Sequence, residues 1–166
     1  HTAVLALGGN HLTHDIAIGL GTPLQEAEEI KHSDGIALSD MTDENEMIAV
    51  PSVGGRNNRQ MKKMVLAGII EDRFREIFEL IGREIEKTHY HKLMASGVVI
   101  TGGSCIMPGV DQLAHQVLNM PVRVGFPEHI SGLKELIYSP KYATSVGLVR
   151  YGITSNQGKL LSLIHI

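Results

Sequence analysis

Cysteine is almost missing from this 166-residue chain: Cys105 stands alone, so no disulfide can close within it. That usage fits a reducing, cytosolic setting. Long apolar runs are missing too. No stretch approaches the roughly 20 residues needed to span a bilayer, and the first residues lack the charged n-region and apolar h-region of a signal peptide. A dominant charge is also lacking. With a formal net charge of -3, the chain has no general affinity for anionic surfaces, and no nucleic-acid partner is expected. The exception is a local basic run, Arg56, Arg59, Lys62 and Lys63. No Gly-x-Gly-x-x-Gly follows a strand and there is no Walker A loop. Nine histidines are present, yet neither Cys-x-x-Cys nor His-Glu-x-x-His accompanies them, so no metal site is expected and surface or capping roles are.

What is present is enough to fold. Hydrophobic residues make up 43% of the chain and charged residues 20%, which excludes a disordered chain and suits one compact domain or two small subdomains sharing a core. Residues 3–7 read as an apolar strand closed by Gly8 and Gly9. A helix follows over about 10–18, with Leu12, Ile16 and Leu20 on one stripe. Thr22-Pro23-Leu24-Gln25 predicts a second helix with Thr22 as N-cap and Gln25 completing a capping box, burying Leu24, Ala27 and Ile30. Residues 35–38 and 47–50 are strand candidates around an acidic loop. From about Met64 to Lys87 the three-to-four spacing of Ile70, Phe74, Ile77, Ile81 and Ile85 predicts a long amphipathic helix, with Phe74 and Phe78 in the core. Residues 97–101 form a continuous apolar run, read as a strand buried on both faces. A helix over about 110–118, a strand over 121–125 and a small-residue helix over 142–151 complete the series. This order predicts an α/β core interrupted by an inserted subdomain.

Two stretches carry candidate chemistry. Where the strand over 97–101 ends, Gly102-Gly103-Ser104 offers backbone without a Cβ, which lets a flat or anionic ligand approach. A tight strand-to-helix turn is the simpler reading of a lone glycine pair. Glu28 and Lys31 lie three apart on one helix face, which is by itself an ordinary solvated ion pair. Cys105 follows in a position where small size suffices, with no base placed to activate it, and no catalytic residue is assigned.

Together these stretches resemble the actin-like ATPase superfamily. Thr101-Gly102-Gly103-Ser104-Cys105-Ile106-Met107-Pro108-Gly109 is similar to its adenosine motif, and Ala27-Glu28-Glu29-Ile30-Lys31 to the helix whose side chains approach the nucleoside. Within the superfamily the chain resembles the FtsA family of bacterial cell-division proteins. Gly9-Asn10 leading to Thr13 and Asp15-Ile16-Ala17 is similar to the loop and helix after its second phosphate motif. Gly21-Thr22-Pro23, Val50-Pro51-Ser52-Val53-Gly54-Gly55-Arg56 and Ile70-Glu71-Asp72-Arg73 resemble the family as well, as do Pro121-Val122-Arg123-Val124-Gly125, Ile130-Ser131-Gly132-Leu133 and Ala143-Thr144-Ser145-Val146-Gly147-Leu148. The likeness covers about residues 1–152.

The resemblance implies an α/β, actin-like (ribonuclease H-like) lobe, incomplete at both ends. Subdomain IIA would take residues 1–24 and 95–152, and inserted subdomain IIB residues 25–94. Glu28, Lys31, Gly102, Gly103 and Ser104 would then be the nucleotide-binding residues, with the glycine turn and the Glu28–Lys31 helix facing across an adenosine. The intact protein would bind ATP with Mg²⁺, although the phosphate and metal contacts belong mostly to segments not seen here, so hydrolysis by this chain is not expected. It would associate with itself into filaments, receive the acidic, apolar C-terminal tail of FtsZ on subdomain IIB, and reach the membrane only through a helix missing here. That places it in the cytoplasm, at the inner face of the cell membrane at the division site. The run Arg56, Arg59, Lys62, Lys63 either pairs with such a tail or is a solvated edge that blunts a strand. Other readings are a pilus-assembly adaptor, an MreB-type filament or a sugar-kinase-like phosphotransferase of the same superfamily. The chain opens on His1, and residues 161–166 resemble a translated sequencing-library adapter. Residues 153–166 are accordingly expected to be a non-native or unstructured tail, the alternative being a genuine apolar tail.

Overall fold

A computed structural model describes residues 1–52, 54, 57–88, 94–128 and 137–160, with only the backbone given for 156–160. By internal contacts the chain divides into two compact units, His1–Val99 with Met107–Arg123, and Ile100–Ile106 with Val124–Ile166.

The first unit is built on helices. Helix α1, Gly9–Leu20, buries Leu12, Ile16 and Leu20 as their spacing predicts. It starts with the His11 ring accepting the Gly8 N–H (3.2 Å) while the His11 N–H bonds back to the Gly8 carbonyl (2.9 Å). Gly21, at φ 59°, ends it in a left-handed turn. There the Gly21 N–H bonds Ile18 O and the Thr22 N–H bonds Ala17 O, so two of the helix's last carbonyls find donors.

Helix α2, Leu24–Asp34, departs from its predicted start. Thr22 forms no cap; its hydroxyl is buried and donates to the Pro51 carbonyl at 2.7 Å, fastening the loop after strand β1 (Met47–Val50). A buried hydroxyl needs an acceptor for its proton, and here a long-range carbonyl supplies it while no backbone N–H of α2 bonds to the Thr22 oxygen. Leu24, at 48% exposed, stays outside the core, whereas Ala27 and Ile30 enter it.

Helix α3, Lys63–Lys87, is the longest element and packs on both α1 and α4, Val110–Leu118. Leu66, Ile70, Phe74 and Phe78 form its buried stripe at a spacing of four, and the rings of Phe74 and Phe78 stack 5.9 Å apart. Ile77, Ile81 and Ile85 flank this stripe half-buried. Val110, Leu113, Ala114 and Leu118 of α4 close the core, and Ile48 and Val50 of β1 join the buried set. Strand β1 pairs antiparallel with β2, Arg59–Lys62, with Met47 opposite Lys62.

Three expected strand features are absent among the described residues. Residues 3–7 pair with nothing, and Val4 is 90% exposed. A strand is stable only with a neighbour to take its backbone bonds, so apolar composition alone does not make one. Residues 35–38 run as a loop, tied by the Ala37 N–H to Pro108 O at 2.9 Å, into a 3₁₀ turn at Ser39–Met41. Strand β3, Val98–Ile100, exists but is not buried on both faces. It pairs only with β4, Val122–Val124, and Val99 is 51% exposed.

In the second unit, Thr101 Oγ1 donates to Gly125 O (2.9 Å) and Pro140 O (3.2 Å), and the rings of Phe126 and Tyr138 stack at 5.1 Å. Helix α5, Ala143–Leu160, runs past residue 152, where the tail was expected to begin; residues 161–166 lie outside the described residues. The contact-based division differs from the expected subdomain boundaries, since residues 1–24 and 25–94 fall in one unit.

Two glycines give opposite expectations for stability. Gly97 sits at φ 76°, and a Cβ there meets the Pro121 carbonyl oxygen at 2.0 Å. Gly97→Ala is expected to destabilise the chain by about 2 kcal/mol or more. Gly68 lies within α3 with nothing near its missing Cβ, so Gly68→Ala is expected to stabilise by up to ~1 kcal/mol. Urea unfolding of both variants checks the pair, and equal midpoints contradict it.

Candidate functional site

Glu28 and Lys31 are not a solvated surface pair. Helix α2 packs on α1 through Ala27 and Ile30, which turns the adjacent face, bearing residues 28 and 31, toward the start of α1. The Lys31 side chain is only 10% exposed. Its ammonium donates to Glu28 Oε2 at 2.6 Å, to Thr13 Oγ1 at 2.8 Å and to the Gly9 carbonyl at 3.3 Å. An ammonium has three protons, so these bonds use them all. Thr13, buried in α1, completes the cluster by donating to Glu28 Oε2, with Gly9 O its other acceptor at 3.1 Å.

Glu28 thus has one inward oxygen and one outward. Oε2 is held by Lys31 and Thr13, while among the described residues Oε1 meets only the exposed His32 ring, at 3.0 Å. Burial pushes the Glu28 carboxyl upward, but the bonds from Lys31 and Thr13, the Lys31 charge and the His32 bond outweigh it and hold the group below its ordinary value of 4.5. A carboxylate is an acceptor only. Its outward oxygen can therefore take a hydroxyl or amine hydrogen from a ligand that displaces His32, and it repels a phosphate.

In the second unit, β3 leads through Thr101 into a 3₁₀ turn at Gly103–Ile106. Gly102 stands at φ 107° with open space where a Cβ would point; its N–H donates to Pro140 O at 3.2 Å and its carbonyl accepts the Cys105 N–H at 3.2 Å. A side chain added at Gly103 meets only the Lys141 Cβ, at 3.9 Å. Ser104 is half-buried within the same turn. The turn is thus pinned by backbone bonds while its glycines face open space. Burial pushes the Cys105 thiol up to about 11, so it is protonated at neutral pH and no activated nucleophile.

The basic run separates into different roles. Arg59 donates to the carbonyls of Leu20 and Gly21, capping the end of α1. Lys63 pairs with Glu46 at 2.8 Å and is 13% exposed. Lys62 is exposed on β2, and Arg56 lies outside the described residues. His14 bonds Asn10 O at 2.8 Å and His115 bonds Met120 O at 2.7 Å, both backbone carbonyls of their own neighbourhoods; His89 and His91 lie outside the described residues.

Spacing alone missed several residues that matter. Arg73 of α3 grips both carboxylate oxygens of Asp15 on α1 and also meets Glu76; Asp15, Ile69, Asp72, Arg73 and Glu76 line an open cleft of about 260 Å³. Glu71 accepts the Ser39 N–H (2.8 Å) and hydroxyl (2.7 Å) and pairs with Arg75. The backbone bond from Ser39 is the largest influence holding the Glu71 carboxyl below its ordinary value, against burial. Partners 58 and 32 residues apart leave no local signal. Thr13 did leave one: it is a polar residue between Leu12 and Ile16 on an apolar helix face, where a hydroxyl needs a partner.

Glu28 and Glu71 make stability depend on acid. Because their folded values lie below 4.5, the unfolded chain takes up protons first as pH falls. Their contribution is complete above about 4.5 and is lost as pH drops through the depressed folded values. Lys31→Met is expected to destabilise by roughly 1–3 kcal/mol at neutral pH and to flatten this acid slope, because Glu28 loses its main partner. Thermal unfolding between pH 3 and 7 checks it; parallel curves for the two proteins contradict it.

Comparison with known proteins bears on what this arrangement belongs to. A sequence profile described as cell division protein FtsA matches residues 1–147. The chain is 42% identical over 153 residues to the cell division protein FtsA of Pseudomonas aeruginosa, covering 92% of this chain and 37% of that protein. It is 40% identical over 150 residues to that of Neisseria meningitidis, covering 90% and 36%. The chain therefore spans little more than a third of these relatives' length. Among solved structures, MreB5 of Spiroplasma citri bound to AMPPNP superposes with a TM-score of 0.69 at 15% identity, over 93% of this chain and 46% of that one. The expected α/β, actin-like lobe is thus the fold. With the match running from residue 1 to 147 and carrying the Gly9 to Asp15, Glu28 to Lys31 and Thr101 to Gly109 stretches, this chain belongs to the FtsA family of cell division proteins.

Proposed function

We propose that this chain supplies the nucleoside-binding part of a cell-division adaptor that binds ATP with Mg²⁺, assembles into actin-like filaments and holds FtsZ at the inner face of the cell membrane. In this reading Glu28, Lys31, Gly102, Gly103 and Ser104 are the nucleotide-binding residues. Residues 1–24 and 95–152 form subdomain IIA and residues 25–94 the inserted subdomain IIB.

The observation that carries the reading is the outward oxygen of Glu28. A buried lysine and a buried threonine hold the other oxygen, which leaves a fixed acceptor suited to the hydroxyl and amine hydrogens of a nucleoside and unsuited to its phosphates. The pinned, side-chain-free turn at Gly102 and Gly103 supports it, since a flat base can lie against bare backbone. Membership of the FtsA family supports the cell-division role, and the nucleotide named for the MreB5 structure of the same fold supports ATP as the ligand class.

The partner reading rests on less of the basic run than its charges suggest. With Arg59 and Lys63 engaged inside the fold, Lys62 and Arg56 are the members left for an acidic tail. No helix among the described residues is long and apolar enough to cross a membrane, and membrane attachment is assigned to another segment of the intact protein.

Isotope-labelled chain titrated with ATP tests the nucleoside reading. Weak binding with little Mg²⁺ dependence is expected, with amide shifts concentrated at residues 28–32 and 102–104. Gly103→Ala should weaken the second set without lowering the melting temperature, because the added Cβ meets only the Lys141 Cβ, at 3.9 Å. Tight, Mg²⁺-dependent binding, or shifts confined to other surfaces, overturns the reading.

A further inference from the structure

We infer that Thr13 is the positioning residue of this half-site: its single buried hydroxyl fixes which oxygen of Glu28 is offered to a ligand. The inference rests on the nucleoside reading above and assigns the control of that site to a residue on a different helix.

The geometry is restrictive. Thr13 is 4% exposed and sits on the α1 face that packs against α2. Its oxygen accepts from the Lys31 ammonium at 2.8 Å, and its one proton has two acceptors in reach, Glu28 Oε2 and Gly9 O at 3.1 Å. The charged carboxylate is the stronger acceptor, so the proton lies toward Glu28. Lys31 approaches the same Oε2 from its own helix at 2.6 Å. Two donors from different directions define a position for Oε2, and the rigid carboxylate plane then sets where Oε1 stands.

Without the hydroxyl, Lys31 remains, but it is attached to the same helix three residues on. Its remaining bond to α1 is the 3.3 Å contact with Gly9 O, which holds the ammonium and not the carboxylate itself. The carboxylate is free to rotate toward Lys31 with either oxygen, and His32, whose Nε2 lies 3.0 Å from Oε1, competes on equal terms. Thr13 is therefore what makes the two oxygens inequivalent. The Gly9 carbonyl at the first turn of α1 is answered by Lys31 at 3.3 Å, so a shift at the start of that helix reaches Glu28 through the Lys31 ammonium.

The test compares Thr13→Val, Thr13→Ala and Thr13→Ser by carbon-detected titration of the Glu28 carboxyl and by adenosine-induced amide shifts. Ala is included because its helix propensity exceeds that of Val, so a folded hydroxyl-free protein is available if Val disrupts packing. In Val or Ala the Glu28 titration midpoint is expected to rise toward the ordinary carboxylate value, and adenosine shifts at residues 28–32 to fall at least threefold. Shifts at 102–104 should persist. Ser should restore both quantities. An unchanged Glu28 midpoint, or undiminished adenosine shifts at 28–32 in Val and Ala, overturns the inference. If the unsubstituted chain shows no adenosine shifts at 28–32, the nucleoside reading fails and the ligand role of Thr13 with it, while the Glu28 midpoint still reports whether Thr13 holds the carboxylate.

Discussion

A lysine ammonium carries three protons, and Lys31 uses all of them inside the protein, on Glu28, Thr13 and the Gly9 carbonyl. The placement of Glu28 depends on that closure. A charge this well buried is tolerated only when every donor is answered and a counter-charge is at hand. The cluster meets both conditions across two helices, and in doing so fixes α2 against the first turn of α1. It also orients Glu28, whose outward oxygen is the one polar atom of the cluster left facing an exposed neighbour. Fold and site are therefore the same interaction seen from two sides.

The remaining framework serves to keep that junction in place. Helix α3 lies against α1 and α4 along its apolar stripe, and Arg73 locks it to α1 by gripping Asp15 two residues beyond Thr13. Glu71, two residues before Arg73 on α3, secures the 3₁₀ turn at Ser39–Met41 that follows α2. Arg59 reaches back from β2 to the end of α1. Each contact joins segments far apart in sequence, and each uses a charged group to satisfy backbone or carboxylate atoms that would otherwise be left with water alone. The stretch of residues 70 to 73 is thus explained by what its charges hold together.

Much of this was legible from residue order because helices announce themselves locally. The stripes of α1, α3 and α4 follow from spacing, and their observed bounds, Gly9–Leu20, Lys63–Lys87 and Val110–Leu118, lie within a residue or two of expectation. Strands were harder. Residues 3–7 have strand-like composition but no partner, and the decision between strand and coil is made by a neighbour that composition does not mention. Thr22 misled for a related reason: its hydroxyl is spent on the distant Pro51 carbonyl, a partner that the local capping pattern does not mention. The Glu28 and Lys31 pair was found by its spacing and its likeness to a family, yet spacing described it as solvated. Burial of Lys31 comes from α1 packing alongside, which no property of α2 alone encodes. Thr13 and Arg73 were beyond local reach because their partners lie on other helices, although a threonine on an apolar stripe is a visible request for one.

Membership of the FtsA family gives the cluster a setting, and a lysine and a threonine hold its acceptor from behind. The central claim is that Lys31 is saturated within the protein. Proton exchange at the Lys31 ammonium, observed directly by nitrogen-15 NMR at low temperature, tests this with Lys62, exposed on β2, as an internal reference. The account predicts a Lys31 signal that persists where the Lys62 signal is lost to solvent exchange. Equal, rapid exchange at both lysines would contradict it.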